Sequence, residues 1–228
     1  MRTHRFYINP DTELKHQFWL HDKAIIHQWR NVLRFQPGQQ VILFDGVEVE
    51  RLYNLDSLTD KEAKLTLITE FERQLPANDL YLCWSLLKKD KNDWILQKAT
   101  ELGVSHFIPI VSQRAIANNF DADRALKIVT EASEQSGRSD IPRVRSPLHL
   151  TALLDQFTDR PLIVAQQGAA NSLPNQQSIG LLIGPEGGWS ADELGLFKTR
   201  SLPHIGLGKF TLRAETAAIV AASKILCD

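Results

Sequence analysis

The sequence predicts a small all-β unit followed by a larger α/β unit on a mostly parallel sheet, and three observations carry that expectation. Past residue 79, apolar runs of strand length alternate with segments of helical periodicity, as in a parallel sheet covered by helices on both faces. Two late strands lead through glycine loops, Gly184-Pro185-Glu186-Gly187-Gly188 and Gly206-Leu207-Gly208, into helix starts. Residues 1–72 instead hold several short alternating strands joined by tight turns, which suggests a small barrel.

In the first unit, His4-Arg5-Phe6-Tyr7-Ile8 is strand-like and closed by Asn9-Pro10-Asp11. Residues 21–33 place Ala24, Ile25, Trp29 and Val32-Leu33 at a spacing nearer to a helix than to a strand, and Gln36-Pro37-Gly38 is a turn. Residues 40–44 form a strand ended by Asp45-Gly46, a strong hairpin signal, and residues 47–50 and 63–68 alternate as half-buried strands do. Residues 72–78, with Pro76 and Asn78, read as the boundary, giving domains over 1–72 and 73–228.

In the second unit, residues 80–84 are a nearly continuous apolar strand. Residues 91–103 are a helix with Trp94-Ile95 and Ala99 inward and Gly103 as its C-cap. A strand over 104–111, a helix over 122–137 and a strand over 161–165 follow. The apolar run 179–183 then enters the first glycine loop as a buried strand would, and Ser190-Ala191-Asp192-Glu193 leaves it as a helix start. Two such loops are expected side by side at the carboxyl edge of the sheet, where α/β folds bind ligands.

Composition narrows the classes. The chain is 43% hydrophobic and 23% charged, as soluble proteins are, with no apolar run of transmembrane length, and Met1-Arg2-Thr3-His4-Arg5-Phe6 is not a signal peptide. Cys83 and Cys227 are far apart, so reduced thiols in a cytoplasmic protein are expected. The seven histidines have no ligand spacing, and no metal is expected. A net charge of -1 opposes broad attraction to nucleic acid but permits a local basic patch.

The glycine loops leave backbone donors and acceptors uncovered, which suits a flat polar ligand such as adenine. Neither Gly-x-x-x-x-Gly-Lys-Ser/Thr nor Gly-x-Gly-x-x-Gly opening a helix is present, so nucleotide-hydrolase and dinucleotide readings lose their main support. Turn-making alone is the bland reading of these glycines; two such loops, one carrying Pro185-Glu186 and the other leading into Arg213-Ala214-Glu215-Thr216, make it the weaker one. Glu215 or Thr216 is expected to cap the last helix. Arg213, beside a ligand loop, is placed to neutralise a forming oxyanion, with Arg138 and then Arg114 as the other candidates.

The chain resembles the RsmE family of ribosomal RNA methyltransferases, of the SPOUT superfamily, nearly end to end. The resemblance is carried by His4-Arg5-Phe6, His27, Val32-Leu33-Arg34, Gly38 and Phe44-Asp45-Gly46 in the first unit. In the second it is carried by Lys91, Trp94-Ile95-Leu96-Gln97-Lys98-Ala99-Thr100-Glu101-Leu102-Gly103-Val104 and Glu134-Gln135-Ser136-Gly137-Arg138. Ile183-Gly184-Pro185-Glu186-Gly187-Gly188 and Leu212-Arg213-x-Glu215-Thr216-Ala217 complete it. Leu87-Lys88-Lys89-Asp90, Lys209-Phe210-Thr211 and Ala214 depart from the family's common forms.

The resemblance implies an α/β knotted methyltransferase domain with a deep trefoil knot, a small PUA-like barrel that holds RNA, and a homodimer. Periodicity alone gives an ordinary doubly wound sheet, since knots are rare. It also implies S-adenosylmethionine as cofactor and N3 of one uridine in 16S small-subunit ribosomal RNA as target, with an assembled 30S subunit as the expected partner. By motif, the cofactor residues are Gly184, Pro185, Glu186, Gly187, Gly188, Leu207, Gly208, Leu212, Glu215, Thr216 and Ala217. Arg2, Arg5, Arg30 and Arg34 are the candidates for a basic RNA-facing surface. The competing readings are methylation of another RNA position or base, and an RNA-binding assembly module without turnover.

Overall fold

The structure, a computed structural model, describes residues 3–116, 119–169 and 177–227. The chain forms two compact units: Met1–Leu75 with Ser133–Asp140, and Pro76–Ala132 with Ile141–Asp228.

The first unit contains β1 (His4–Tyr7), β2 (Gln17–Leu20), α1 (Lys23–His27), β3 (Gln40–Phe44), β4 (Glu50–Leu58) and β5 (Ala63–Glu70). They make one five-stranded sheet in the order β1-β3-β4-β5-β2, antiparallel except for the β1–β3 pair. Period-two alternation sends Val41 and Leu43, Tyr53 and Leu55, and Ala63 and Leu65 into a core that also holds Phe6, Trp29 and Phe35. Asp22 opens α1 by accepting from the Ala24 and Ile25 N–H groups at 2.9 and 3.0 Å, and the helix continues as a π-helical turn over Gln28–Val32.

Two local expectations change here. Phe44 pairs with Glu50, so the hairpin loop spans five residues rather than two, and residues 47–49 are not strand. The Asp45 side chain closes that loop by accepting from the Val47, Glu48 and Val49 N–H groups at 2.9, 2.8 and 3.0 Å. Burial works against its charge, but these backbone bonds outweigh it and hold the carboxyl below the usual range.

Glu50, only 3% exposed, accepts hydrogen bonds from Arg5 and from the Ser139 hydroxyl. Arg5 Nη2 also donates to the Arg138 carbonyl at 3.1 Å, and the Tyr7 N–H donates to Glu134 Oε1 at 2.8 Å. These bonds, with the Ser139 N–H donating to the Gln74 carbonyl at 2.9 Å and the Gln74 N–H to Ser139 Oγ at 2.8 Å, seat residues 133–140 in the first unit.

The second unit contains β6 (Asp79–Ser85), α2 (Lys89–Leu102), β7 (His106–Val111), the greater part of α3 (Ala122–Ser136), β8 (Arg143–Val144), β9 (Leu148–His149) and α4 (Leu150–Gln156). It ends with β10 (Leu162–Ala165), β11 (Ser178–Ile183), α5 (Ala191–Thr199), β12 (His204–Ile205) and α6 (Ala214–Leu226). All strands are parallel, in the order β12-β10-β11-β6-β7-β8, with β9 also on β7. Leu80, Leu82 and Trp84 of β6 enter one core with α2 and α6 side chains; Tyr81 and Cys83 enter a second with α4 and Phe197 of α5. That division explains why the central strands are apolar without interruption.

Gly103 caps α2 at φ 103°, as its place in the sequence predicts. Asn92 is buried and ties the start of α2 to the end of β6: its Oδ1 accepts from Trp84 Nε1 at 2.9 Å and the Leu87 N–H at 3.1 Å. Ile95 and Ala99 face inward, but Trp94 is 41% exposed and does not. Successive helical residues lie about 100° apart, so the Trp94-Ile95 pair cannot share one face.

Candidate active site

Strand β11 delivers the first glycine loop to the carboxyl edge of the sheet. A Cβ on Gly184 would lie 3.0 Å from the Trp189 indole nitrogen, so glycine permits that ring to close over the strand end. The Gly188 N–H donates to the Pro185 carbonyl at 2.9 Å, and Gly188 takes φ +67°. Beyond the loop, Ser190 and Glu193 make a reciprocal capping box, with the Glu193 N–H to Ser190 Oγ at 3.1 Å and the Ser190 N–H to Glu193 Oε2 at 2.7 Å. The other Glu193 oxygen accepts from the Gln113 N–H at 2.9 Å, which fixes the loop's downstream end against the end of β7.

The second loop follows β12. A Cβ on Gly206 would stand 2.1 Å from the Ala169 carbonyl oxygen, a backbone contact that leaves room for glycine only. Gly208 takes φ +126°. Helix α6 then begins at Ala214 with Arg213 in the N-cap position. Among the described residues no side-chain hydrogen bond caps it, so Glu215 and Thr216 do not cap as expected, although Glu215 does stand in the first turn at the helix's positive end.

The two loops frame one cleft of about 500 Å³. Of the residues expected there, Gly184, Pro185, Glu186, Gly188, Leu207, Gly208, Leu212, Arg213 and Ala217 line it. Gly187, Glu215 and Thr216 are not among the lining residues. The Gly187 carbonyl faces Arg114, whose Nη1 donates to it at 2.9 Å. Gln166, Gln167, Trp189, Leu194, Phe210 and Thr211 line the cleft without having been expected. The glutamines directly follow β10, which lies between β11 and β12; strand order would have found them, but sequence does not give strand order.

The candidate arginines separate by commitment. Arg114 holds the first loop. Arg138 belongs to the first unit, where Asp140 grips it at 2.8 Å (Nε to Oδ1) and 2.7 Å (Nη2 to Oδ2). Arg213 is exposed at the cleft, and its guanidinium makes no hydrogen bond or ion pair among the described residues.

Lys91 stands at the site without a role having been assigned to it. Its ammonium donates to Glu186 Oε1 at 2.7 Å and lies 3.6 Å from Glu215 Oε2, so it joins the first loop to the opening turn of α6. The Glu186 hydrogen bond, then the charges of Glu186 and Glu215, raise the Lys91 pKa above its ordinary value, against the repulsion of Arg213. Burial opposes the charge on Glu186, but the Lys91 bond and the Lys91 and Lys88 charges outweigh it, holding the carboxyl below its usual range.

Of the arginines expected to face RNA, Arg5 is largely buried beside Glu50, to which its guanidinium is committed. Arg30 pairs with Asp60, while Arg34 is exposed at φ 54°; both border a polar concavity with Asn31 and Gln36. Arg2 lies outside the described residues.

Residues 73–226 match the family described as RNA methyltransferase domain, and residues 30–68 match the RNA methyltransferase PUA domain. A Bacillus subtilis protein named ribosomal RNA small subunit methyltransferase E is 33% identical over 88% of this chain and 86% of its own length. The Rickettsia conorii protein of the same name is 27% identical over 99% and 96%. Among solved structures, a Neisseria gonorrhoeae ribosomal RNA small subunit methyltransferase E bound to S-adenosyl methionine superposes with a TM-score of 0.87 at 29% identity, covering 99% of this chain and 98% of that one. A Legionella pneumophila putative methyltransferase in complex with the same cofactor gives 0.87 at 27% identity, covering 98% and 96%.

Proposed function

The chain belongs to the RNA methyltransferase family of the ribosomal RNA small subunit methyltransferase E proteins, and from that premise we propose that it methylates N3 of one uridine in 16S small-subunit ribosomal RNA. S-adenosylmethionine is the methyl donor. The observation that carries the reading is the convergence of both glycine loops and Arg213 on one cleft.

The cleft fits that cofactor. Its volume lies within the roughly 300–1,000 Å³ of small-molecule sites, and its walls pair apolar side chains with bare backbone. At Gly188 and Gly208 a Cβ would enter open space, so those positions leave room that a side chain would take. Pro185, Leu207, Leu212 and Ala217 would hold the cofactor, together with loop N–H and C=O groups. When bound, S-adenosylmethionine supplies a methyl group already activated on a sulfonium.

The protein's part is then largely placement. Uridine N3 carries a weakly acidic proton between two carbonyls, and its loss spreads negative charge over O2 and O4. Arg213 is the uncommitted cation at the cleft, and we assign it the stabilisation of that charge. Arg114 acts through the loop it holds. Lys91 keeps Glu186 and Glu215 together, so Lys91→Met is expected to weaken S-adenosylmethionine affinity several-fold, as calorimetric titration would read it. The Glu186 side of this pair is complete above the ordinary glutamate pKa of about 4.3 and is lost as pH falls through its lower folded value. The Lys91 side is complete below about 10.4 and lost as pH rises through its higher folded value, so the tie persists across neutral pH.

The first unit is read as the PUA-like, RNA-holding barrel; register shifts in the β4–β5 pair supply the bends that closure needs. Residues 73–228 are read as the knotted SPOUT domain. From the edge strand β12 the chain returns to pack α6 on α2, β6 and β11, a path compatible with threading. A homodimer acting on an assembled 30S subunit in the cytoplasm completes the proposal. No helix of the described residues is long and apolar enough to cross a membrane.

The test is incubation with methyl-labelled S-adenosylmethionine and small subunits from a strain lacking this gene, followed by nucleoside analysis. The expected label is in N3-methyluridine. Label in another nucleoside would overturn the position assigned, and no label despite measured cofactor binding would overturn turnover on this substrate.

A further inference from the structure

Phe210 is 83% exposed, the highest value for a large apolar side chain among the described residues, yet it lines the cleft. Its ring has no aromatic or cationic partner among the described residues, whereas Trp189, on the same cleft, packs on Phe197 with centroids 5.1 Å apart. The stretch that carries Phe210 is not loose. The Thr211 hydroxyl donates to Gln167 Oε1 at 3.0 Å, pinning it to the end of β10, and Leu212 turns inward beside it. An apolar ring is thus held in water at the mouth of a cofactor site.

We propose that Phe210 is the stacking platform for the target uracil, an inference that rests on the uridine reading above. A base reaches a buried methyl donor only by leaving its own stack, and an aromatic face replaces the stacking it gives up. Phe210 offers such a face, and two polar groups line the same cleft. Arg213 is three residues on. The Gln167 amide nitrogen makes no hydrogen bond among the described residues and can donate to a uracil carbonyl once its oxygen holds Thr211. The cofactor's adenine is better matched by the wall of buried Ile183 and half-buried Leu207, Leu212 and Ala217, which leaves the outermost ring to the RNA.

The test compares wild type, Phe210→Ala and Phe210→Trp on small subunits, with S-adenosylmethionine affinity measured separately. Phe210→Ala is expected to raise KM for the subunit about tenfold or more with cofactor Kd unchanged, and Phe210→Trp to restore KM. Wild type irradiated with subunits carrying 5-iodouridine at the methylated position is expected to crosslink through the peptide that contains Phe210. An unchanged KM in Phe210→Ala, or a weaker cofactor Kd with unchanged KM, overturns the platform alone. A wild-type protein that labels no uridine overturns the functional reading and the platform with it.

Discussion

Arg213→Ala is expected to lower methyl transfer about 100- to 1,000-fold, the loss seen when one preorganised donor to a developing oxyanion is removed. The cofactor Kd should stay within a few-fold, because the guanidinium makes no hydrogen bond or ion pair to a cofactor loop among the described residues. Arg213 sits at the N-cap of α6, so its backbone is fixed by the Ala217 N–H donating to its carbonyl at 2.8 Å. The positive end of that helix adds to the guanidinium charge at the same place. Arg213→Lys keeps the charge but loses the planar fork, and is expected to fall between wild type and alanine. Single-turnover rates with saturating cofactor are the measurement. Full turnover in Arg213→Ala with unchanged cofactor binding would remove this residue from the chemistry.

Much of this site can be read from the sequence because its parts are local. Ser190 and Glu193 stand three apart before an apolar helix, and the capping box they predict is present. Gly103 ends its helix because a left-handed residue is needed there and glycine supplies it without steric cost. The apolar runs in β6 and β11 predict strands covered on both faces, and both are. Strands of two residues, such as β8 and β9, carry no usable period and were not foreseen as separate elements, nor were β2, β4 and α4; the equally short β12 was legible only through the glycine loop that follows it.

The harder failures are non-local. Nothing in Glu134-Gln135-Ser136-Gly137-Arg138 says that these residues pack with the first unit, because their partners lie far off in the chain. The Arg5–Arg138 and Ser139–Glu50 bonds span 133 and 89 positions. Arg5 looks like a surface cation for the same reason: its neutralising carboxylate is in another strand. The assignment of Arg138 to the chemistry met the same obstacle, since Asp140 two residues away proves to hold the Nε–Nη2 edge of its guanidinium. A motif read without its partners gives residue types, not their commitments.

That buried polar cluster supports the second large expectation. Glu50→Ala should destabilise the protein by about 3–5 kcal/mol, because it leaves the largely buried Arg5 charge without its carboxylate, with the Arg138 carbonyl alone among the described residues to accept from it. The Arg5 and Glu50 side chains are 10% and 4% exposed, so water cannot take over the lost contact without opening the unit. Arg5 Nε already lacks a hydrogen-bond partner among the described residues, which makes the guanidinium depend more on Glu50. Ser139 loses its acceptor in the same step, freeing residues 133–140 at one of their anchors. Removing both charges with Arg5→Met and Glu50→Leu should recover a large part of the loss, as apolar replacements of buried pairs often do. Urea unfolding of the two single variants and the double variant gives the coupling directly. Arg5→Ala would then weaken RNA binding only in step with the folded fraction; a stably folded Arg5→Ala with a reduced salt slope would return Arg5 to the RNA contact. Glu50→Ala within about 1 kcal/mol of wild type would show that the pair is solvated rather than buried.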